Sequence, residues 1–349
     1  MLKNRVLAAL LVLMLLLCSA VLAEEKPEAP KVQFYIEQYI GHLGRETSVI
    51  VKTTTPKRIT KDNNTFELRN HRGEVLHTAQ WKSPTSRLTF RFTVEEFALG
   101  GNELSVWWND QCVTAETAYA AYSNLEVKRV TELAPETPAV TLTIVCGGGS
   151  AKDVADILAV LEKHQVKCTF FLGGGWLEGH VEEAKQILQA GHEIASHGYQ
   201  HVHMPDMSSY RGMRNVITKM NERCEELLGV RPVLFRAPYS DTNQKVTALV
   251  RAEGMEEIQW NIDSRDWSDT YKNKPQNIVK RVTGDKVDSG AVIQFHLNGY
   301  GTPQVLDEII PYYQNERGFQ VVTVSELLAL SGREIPPMPD IDQAEQVAP

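Results

Sequence analysis

Cysteine is scarce in this chain, and the few cysteines are widely spaced. The sequence has 5 cysteines in 349 residues, and those beyond the first thirty residues form no Cys-x-x-Cys pair: Cys112, Cys146, Cys168 and Cys224. This spacing excludes the disulfide framework of small secreted domains. With 42% apolar and 23% charged residues, a chain of this length can bury a full core without disulfides and is long enough for two domains.

Basic charge is also in deficit. There are 36 Lys and Arg residues against 44 Asp and Glu residues, which gives a net charge of −8. Nucleic acid is therefore an unfavourable partner, since its binding needs a basic surface. A glycine run at 147–149 is not followed by Gly-Lys-Ser or Gly-Lys-Thr, so a nucleotide phosphate loop is excluded as well.

Long apolar runs are confined to the first residues of the chain. Residues 1–23 have the pattern of a signal peptide, with Lys3 and Arg5 before an apolar run and small or aliphatic residues before Glu24. A lipoprotein interpretation of Cys18 is weaker, because the bulky Leu17 precedes it. We therefore predict export to the cell envelope or the medium, and no transmembrane helix in the mature chain.

Residues 24–132 alternate between apolar and polar side chains with a period of two, as in Arg87-Leu-Thr-Phe-Arg-Phe. The pattern predicts a small β-sandwich of the immunoglobulin-like type. Its tryptophans Trp81, Trp107 and Trp108 are compatible with a sugar-stacking surface, but core packing is about three times as frequent for such residues. Residues 133–138, with two prolines, are predicted to be a linker.

Residues 139–333 instead alternate strands with amphipathic helices, which predicts a parallel sheet. Seven strands are expected, at 139–145, 166–172, 193–196, 232–236, 257–262, 289–296 and 319–323. A helix near 208–228 ends at Gly229. Seven units indicate an α/β fold with a distorted (β/α)7 barrel. The residues after it, 334–349, are predicted to be disordered.

Reactive side chains follow the predicted strands, where the active sites of α/β barrels lie. The imidazoles of His197 and His201 have the spacing of metal ligands one helical turn apart, although such pairs also occur by chance on solvated faces. Later strands end near a further set of polar and aromatic residues: Arg236, Tyr239, Asp266, Trp267 and His296. So many such groups at one end of a barrel predict an active site.

In this order, His-x-x-x-His, Arg-x-Pro-Tyr and Asp-x-x-Asp-Trp resemble the polysaccharide deacetylase family. Its members are metal-dependent enzymes that remove acetyl groups from peptidoglycan, chitin oligomers and xylan. The resemblance runs from about Val140 to Leu328. It implies an acetylated polysaccharide or oligosaccharide as the partner and a divalent metal of the zinc class as the cofactor. We also predict a monomeric protein.

The resemblance also implies a role for each matching residue. His197 and His201 would hold the metal together with an aspartate, while a second aspartate, tethered by Arg236, acts as the base. His296, oriented by Asp266, would protonate the departing amine. The backbone N–H near Tyr239 would help to hold the oxyanion, and Trp267 would line the groove.

The chain departs from the family where the two aspartates of Thr-Phe-Asp-Asp-Gly are expected. The corresponding residues are 143–147, which places Val145 at the position of the base and Cys146 at that of the metal-binding aspartate. A Cys146 thiolate would suit zinc, but a small buried residue at a strand end is an equally good interpretation. Gln294 replaces an aliphatic residue that lines the acetyl-methyl pocket in the family.

Two hypotheses remain open from the sequence. The first is an exported deacetylase with a variant site, in which metal-activated water works with a non-standard base or with none. The second is a non-catalytic glycan-binding or structural protein that keeps the fold. Asp153 and Asp156 are the carboxylates nearby in sequence, but their position on the following helix favours a solvated face. Retained Asp266 and His296 favour the first hypothesis, whereas Val145 and Gln294 favour the second.

Overall fold

The structure is a computed structural model that describes residues 32–36, 40–42, 46–53, 59, 63–70, 72–82, 87–93, 100–121, 130–207, 210–284 and 287–333. The predicted signal peptide and C-terminal tail lie outside these residues. The chain divides into two compact units, and all residues from 119 onwards belong to the second. No helix among the described residues has both the length and the apolar character needed to cross a membrane.

The first unit contains two sheets whose described strand pairs are antiparallel, as the period-two pattern predicts. One sheet has the order β1-β3-β6 and the other the order β2-β8-β7-β4-β5. The strands are β1 (Val32–Ile36), β2 (Ile40–His42), β3 (Glu46–Thr53), β4 (Thr65–Asn70), β5 (Val75–Gln80), β6 (Arg87–Thr93), β7 (Gly100–Trp108) and β8 (Gln111–Ala121).

Two of the three tryptophans of this unit are core residues. Trp81 and Trp108 are each 1% exposed and both lie against the ring of Phe66. Trp107 is half-buried on the opposite face of its strand, with the Arg69 guanidinium 4.5 Å from its ring centroid. Core packing therefore accounts for Trp81 and Trp108.

The second unit is an α/β fold built on a curled sheet whose described strand pairs are all parallel. The strand order is β13-β12-β11-β10-β9-β15-β14, and β16 also pairs with β9. The strands are β9 (Ala139–Cys146), β10 (Thr169–Leu172), β11 (Glu193–Ser196), β12 (Leu234–Phe235), β13 (Glu256–Glu257), β14 (Ile262–Asp263), β15 (Val292–His296) and β16 (Gln320–Val322).

Amphipathic helices connect these strands. They are α1 (Ala151–Lys163), α2 (Gly174–Gly179), α3 (Val181–Gln189), α4 (Tyr210–Leu228), α5 (Gln244–Ala252), α6 (Pro275–Val282), α7 (Thr302–Pro311) and α8 (Val324–Leu330). Helix α1 begins with a capping box between Ser150 and Asp153, and Asp156 pairs with Lys152 on its surface. The two aspartates thus have local roles at the helix surface, as expected for a solvated face.

The fifth predicted strand differs from the structure. In place of one strand at 257–262 the structure has two short strands, β13 and β14, which lie at opposite edges of the sheet and overlap the predicted range only at Glu257 and Ile262. The sheet therefore has eight strands where seven were expected. The end of the predicted sandwich and the first residue of the predicted linker also belong to this unit. Val130 bridges Ile258, Glu132 bridges Ala291, and the Leu133 N–H donates to the Gly290 carbonyl.

The central strand β9 presents two different faces. Val140, Leu142, Ile144 and Cys146 pack in the apolar cluster shared with α1, α4, α6 and α7. Ala139 and Val145 lie in a second cluster with Phe171, Ala195, Leu234 and Val292. Since side chains alternate along a strand, Thr143 lies on the same face as Val145. We call this second face the concave face.

Candidate active site

His197 lies directly after β11 and is 3% exposed. Its backbone N–H donates to the Leu172 carbonyl, and its Nδ1 lies 2.9 Å from the Arg236 carbonyl oxygen. Because a carbonyl can only accept, Nδ1 carries the hydrogen and Nε2 keeps its lone pair free for a metal. Burial, with smaller effects of His201 and Arg236, lowers the pKa of His197 to about 3, so the ring is neutral near pH 7.

His201 lies beside His197, but a loop rather than a helical turn brings the two rings together. The ring centroids are 5.3 Å apart, and residues 197–201 follow a bend after β11. Gly198 makes the bend possible with φ of 77°, and a Cβ there would lie 2.8 Å from Val216. The helical expectation was wrong, although burial and the nearby His203 and His296 lower the pKa of His201 as a metal ligand requires.

Arg236 follows β12 and is completely buried. Its Nε donates to the Ile258 carbonyl, its Nη1 donates to Thr143 Oγ1 at 2.8 Å, and its guanidinium carbon lies 4.0 Å from the centre of the Phe171 ring. Within the described part of the chain Nη2 has no hydrogen-bond partner, and no carboxylate pairs with this guanidinium. Burial lowers the pKa of Arg236 to about 9, which leaves the side chain charged at neutral pH.

Val145 occupies the concave face next to this guanidinium layer. It is 4% exposed and is aligned with Phe171 in β10 and His296 in β15. It therefore lies two residues beyond Thr143, the side chain that contacts Arg236, on the same face of the strand. A carboxylate at residue 145 would stand on the face of the strand that Arg236 contacts, in register with His296.

Cys146 lies on the other face of β9. It is fully buried in the cluster with Leu172 and Trp176, and burial raises the pKa of its thiol. The structure does not bring its sulfur and the two imidazoles within 4.8 Å of one another as a group. An ideal Cβ on Gly147, by contrast, would lie 3.9 Å from Cδ2 of His201. The geometry thus gives no support to Cys146 as a ligand, and that role stays a prediction.

The residues present fit a zinc-class ion through the two neutral imidazoles of His197 and His201. A catalytic zinc site normally has three protein ligands, and no described carboxylate joins this pair. A different group of metal-ligand type is present nearby: His203, Asp206 and Asp241 have ligand atoms within 4.8 Å of one another. His203 and Asp206 are exposed, and the His203 ring is hydrogen-bonded to Asp241 at 2.8 Å.

Asp266 and His296 form a tightly connected pair. Asp266 is fully buried, and its Oδ1 accepts a hydrogen bond from His296 Nδ1 at 2.8 Å. Its Oδ2 accepts from the His296 backbone N–H and from the Thr302 hydroxyl, both at 2.8 Å. These contacts orient the ring so that Nε2 is the nitrogen left for substrate. Thr302, at the first position of α7, was not predicted, since a Thr-Pro helix start carries no sign of this contact.

Gly299 makes room for this pair. An ideal Cβ there would lie 2.1 Å from Asp266 Oδ2 and 2.3 Å from Thr302 Oγ1. We expect Gly299→Ala to lower the stability of the second unit by about 2 kcal/mol or more, because Asp266 must move out of its hydrogen bonds. Gly175→Ala, in a helix with no atom within 4 Å of the new Cβ, should leave it unchanged or slightly higher. Urea unfolding of both variants tests this, and equal midpoints would contradict it.

Two aromatic side chains lie exposed near these groups. Tyr239 and Trp267 are each 57% exposed. The rings of Tyr239 and His201 meet edge to face, with centroids 4.3 Å apart, and the Tyr239 ring stacks on His203 at 4.0 Å. Its backbone has φ of 58°, an uncommon conformation for a non-glycine residue and one frequent at functional sites. Trp267 is held by Asp263, which accepts from Nε1 at 3.4 Å.

Comparison with known proteins agrees with this arrangement. The family model described as polysaccharide deacetylase matches residues 134–258, which include His197, His201, Arg236 and Tyr239. Over these residues the chain is similar to the polysaccharide deacetylase family. The uncharacterised protein YlxY of Bacillus subtilis is 26% identical over 295 residues, which cover 83% of this chain and 89% of YlxY.

Named deacetylases match over a shorter part. The peptidoglycan-N-acetylglucosamine deacetylase PgdA of Listeria monocytogenes is 29% identical over 180 residues, 52% of this chain and 37% of that enzyme. The peptidoglycan-N-acetylmuramic acid deacetylase PdaC of Bacillus subtilis is 30% identical over 193 residues, 55% of this chain and 39% of that enzyme. The chain thus spans less than two fifths of the length of these two enzymes.

A solved structure of the same family bears on the missing aspartates. A CE4 family pseudoenzyme of Bacillus anthracis superposes with a TM-score of 0.54 at 27% identity, over 61% of this chain and 74% of that one. A mutant of it, described as having restored enzymatic activity, superposes with the same TM-score. The family therefore contains at least one protein of this fold that is not an active enzyme.

Proposed function

We propose that this protein is an exported, metal-dependent member of the polysaccharide deacetylase family that acts on acetylated amino-sugar glycans such as peptidoglycan or chitin oligomers. The fold we propose is a distorted (β/α)7 barrel over residues 139–333, preceded by an immunoglobulin-like sandwich over 24–132. The observation that carries the proposal is the buried Asp266 carboxylate, which holds His296 by its ring and its backbone together. A structural role alone does not require an oriented imidazole beside two neutral ones.

Each residue has a task in this proposal. His197 and His201 would hold the metal, which when bound polarises the acetyl carbonyl. His296 Nε2 would carry the proton to the departing amine, and the Asp266 carboxylate would stabilise the ring while it is charged. The backbone near Tyr239 would help to hold the oxyanion, and the exposed faces of Tyr239 and Trp267 would contact the sugar rings.

Val145 limits this chemistry. It stands at the position of the base and has no group that can accept a proton. Among the described residues no carboxylate contacts Arg236 in its place. General-base catalysis is worth on the order of 10²- to 10⁴-fold in rate. We therefore propose weak turnover that depends on the metal and on His296, and an extracytoplasmic location where such glycans occur.

A second candidate is a non-catalytic glycan-binding or cell-envelope structural protein. Val145 is buried with Phe171 and Ala195, and an apolar residue packed in this way favours a site that no longer reacts. The existence of a pseudoenzyme with this fold supports the same candidate. Both candidates share the fold and the glycan partner, and they differ in whether acetate is released.

Metal content provides a direct test. We expect the purified mature protein to bind about one zinc-class ion, and the double variant His197→Ala with His201→Ala to lose it. His203→Ala should retain the ion, which separates this pair from the group of His203, Asp206 and Asp241. Elemental analysis after dialysis measures all three proteins. Equal, negligible metal in wild type and double variant would remove the proposed metal and favour the second candidate.

A further inference from the structure

The polar surroundings of Arg236 include a side chain that the family pattern does not supply. Besides Thr143 Oγ1, the guanidinium Nη1 also contacts Gln294 Oε1 at 3.3 Å. Gln294 is 7% exposed, and the amide is thus part of the interior rather than of the solvent boundary. A buried charge with few partners is costly, so each acceptor that reaches it matters to the fold.

Strand register places Gln294 for this contact. Gln294 in β15 is aligned with Thr143 in β9. Two residues further towards the carboxyl ends of the same strands, His296 is aligned with Val145. Gln294, Thr143 and the guanidinium therefore lie in one layer of the concave face, and Val145 lies in the next. Two departures from the family pattern, which are 149 positions apart in sequence, are neighbours across two adjacent strands.

We propose that Gln294 is a positioning residue that compensates for Val145: it supplies Arg236 with an acceptor oxygen that a carboxylate at residue 145 would otherwise provide. This inference rests on the proposed function, which makes residue 145 the position of the base. The amide accepts a hydrogen bond but brings no negative charge, which is consistent with the unpartnered Nη2. Val145 and Gln294 thus form a matched pair, and changing one alters what the other contributes.

A double-mutant cycle tests this pairing. Gln294→Met, which keeps the length of the side chain but removes the acceptor, should lower the urea midpoint in the wild-type background. In the Val145→Asp background the same change should lower it much less or not at all, because the new carboxylate satisfies the guanidinium. In an Arg236→Met background Gln294→Met should also lose its effect, since the group that it serves is gone.

Gln259 provides a matched control. It is 4% exposed and its amide nitrogen donates to Glu257 at 3.3 Å, but it makes no hydrogen bond to the Arg236 side chain. We expect Gln259→Met to shift the midpoint by the same amount in all three backgrounds. Equal shifts for Gln294→Met in all three backgrounds would overturn the inference. The cycle needs neither substrate nor metal, so it decides the pairing even if every variant is catalytically inactive.

Discussion

Val145→Asp should raise the rate of deacetylation of an acetylated glucosamine oligomer by at least about tenfold over wild type. The other groups are in place: Arg236 has an unpartnered Nη2 with which to hold the new carboxylate, and Asp266 already orients His296. Restoring a base to this site should recover part of the rate that general-base catalysis provides. Acetate release by the purified, metal-loaded protein is the measurement.

Val145→Asn is the matched control, because it has nearly the same shape but cannot take a proton at neutral pH. It should stay at the wild-type rate. A folded, metal-loaded Val145→Asp protein no faster than the asparagine variant on peptidoglycan, chitin and xylan fragments would contradict the prediction, and the non-catalytic candidate would then be preferred. We would not combine the change with Cys146→Asp, because that carboxylate would enter the apolar cluster of Leu172 and Trp176.

The free energy of unfolding of Val145→Asp should depend strongly on whether Arg236 is present to pair with the new carboxylate. With Arg236 present, we expect Val145→Asp to cost no more than about 1–2 kcal/mol, since the buried guanidinium gains the anion that it lacks. In an Arg236→Met background the same substitution should cost about 3–5 kcal/mol, because it leaves an uncompensated buried charge. Arg236→Met alone should be neutral or stabilising. Urea unfolding of the four proteins measures the coupling.

This cycle also separates a packing effect from an ionic one. If residue 145 simply tolerates no polar group, Val145→Asp will cost the same in both backgrounds, and the guanidinium will have no special relation to that position. Val145→Asn again serves as control, because an uncharged amide should depend much less on Arg236. A cost that is equal for aspartate in the two backgrounds would contradict the prediction.

Much of the second unit was predictable because its sequence pattern repeats. The strand predicted at 193–196 and the helix predicted to end before Gly229 agree with the structure to within about two residues. Apolar periodicity and a helix-terminating glycine are signals that depend only on nearby residues. The single strand expected at 257–262 was wrong: only its two end residues, Glu257 and Ile262, lie in strands, and these strands are at opposite edges of the sheet. Such a division depends on which neighbours each half meets, and a single sequence does not contain that information.

The sequence predicted which residues come together at the site better than it predicted how they are arranged. His197, His201, Asp266 and His296 were identified from spacing and strand ends, and the structure brings the two pairs close to one another. The path between these two imidazoles, His197 and His201, was expected to be helical, but it is a bend that depends on Gly198. A spacing of four residues fits either path, and the sequence does not show that Val216 packs close to residue 198.

The two faces of β9 explain the remaining difference. A motif of adjacent residues suggests that both point to the same site, whereas alternation along the strand places Val145 with Phe171 and Cys146 with Leu172. The partners of Arg236 were likewise not predictable from the sequence, because Thr143 and Gln294 meet only through the register of two strands. Contacts of this kind become visible when the strands are aligned in space.

The unpartnered guanidinium has a consequence for how this protein can change over generations. Valine codons that end in a pyrimidine become aspartate codons through a change of the middle base. Ordinarily a buried aspartate would be removed by selection because the fold could not tolerate it. Beside Arg236 we expect that barrier to be low, so a single base change in a descendant of this gene should exchange valine for aspartate at residue 145 without unfolding the protein.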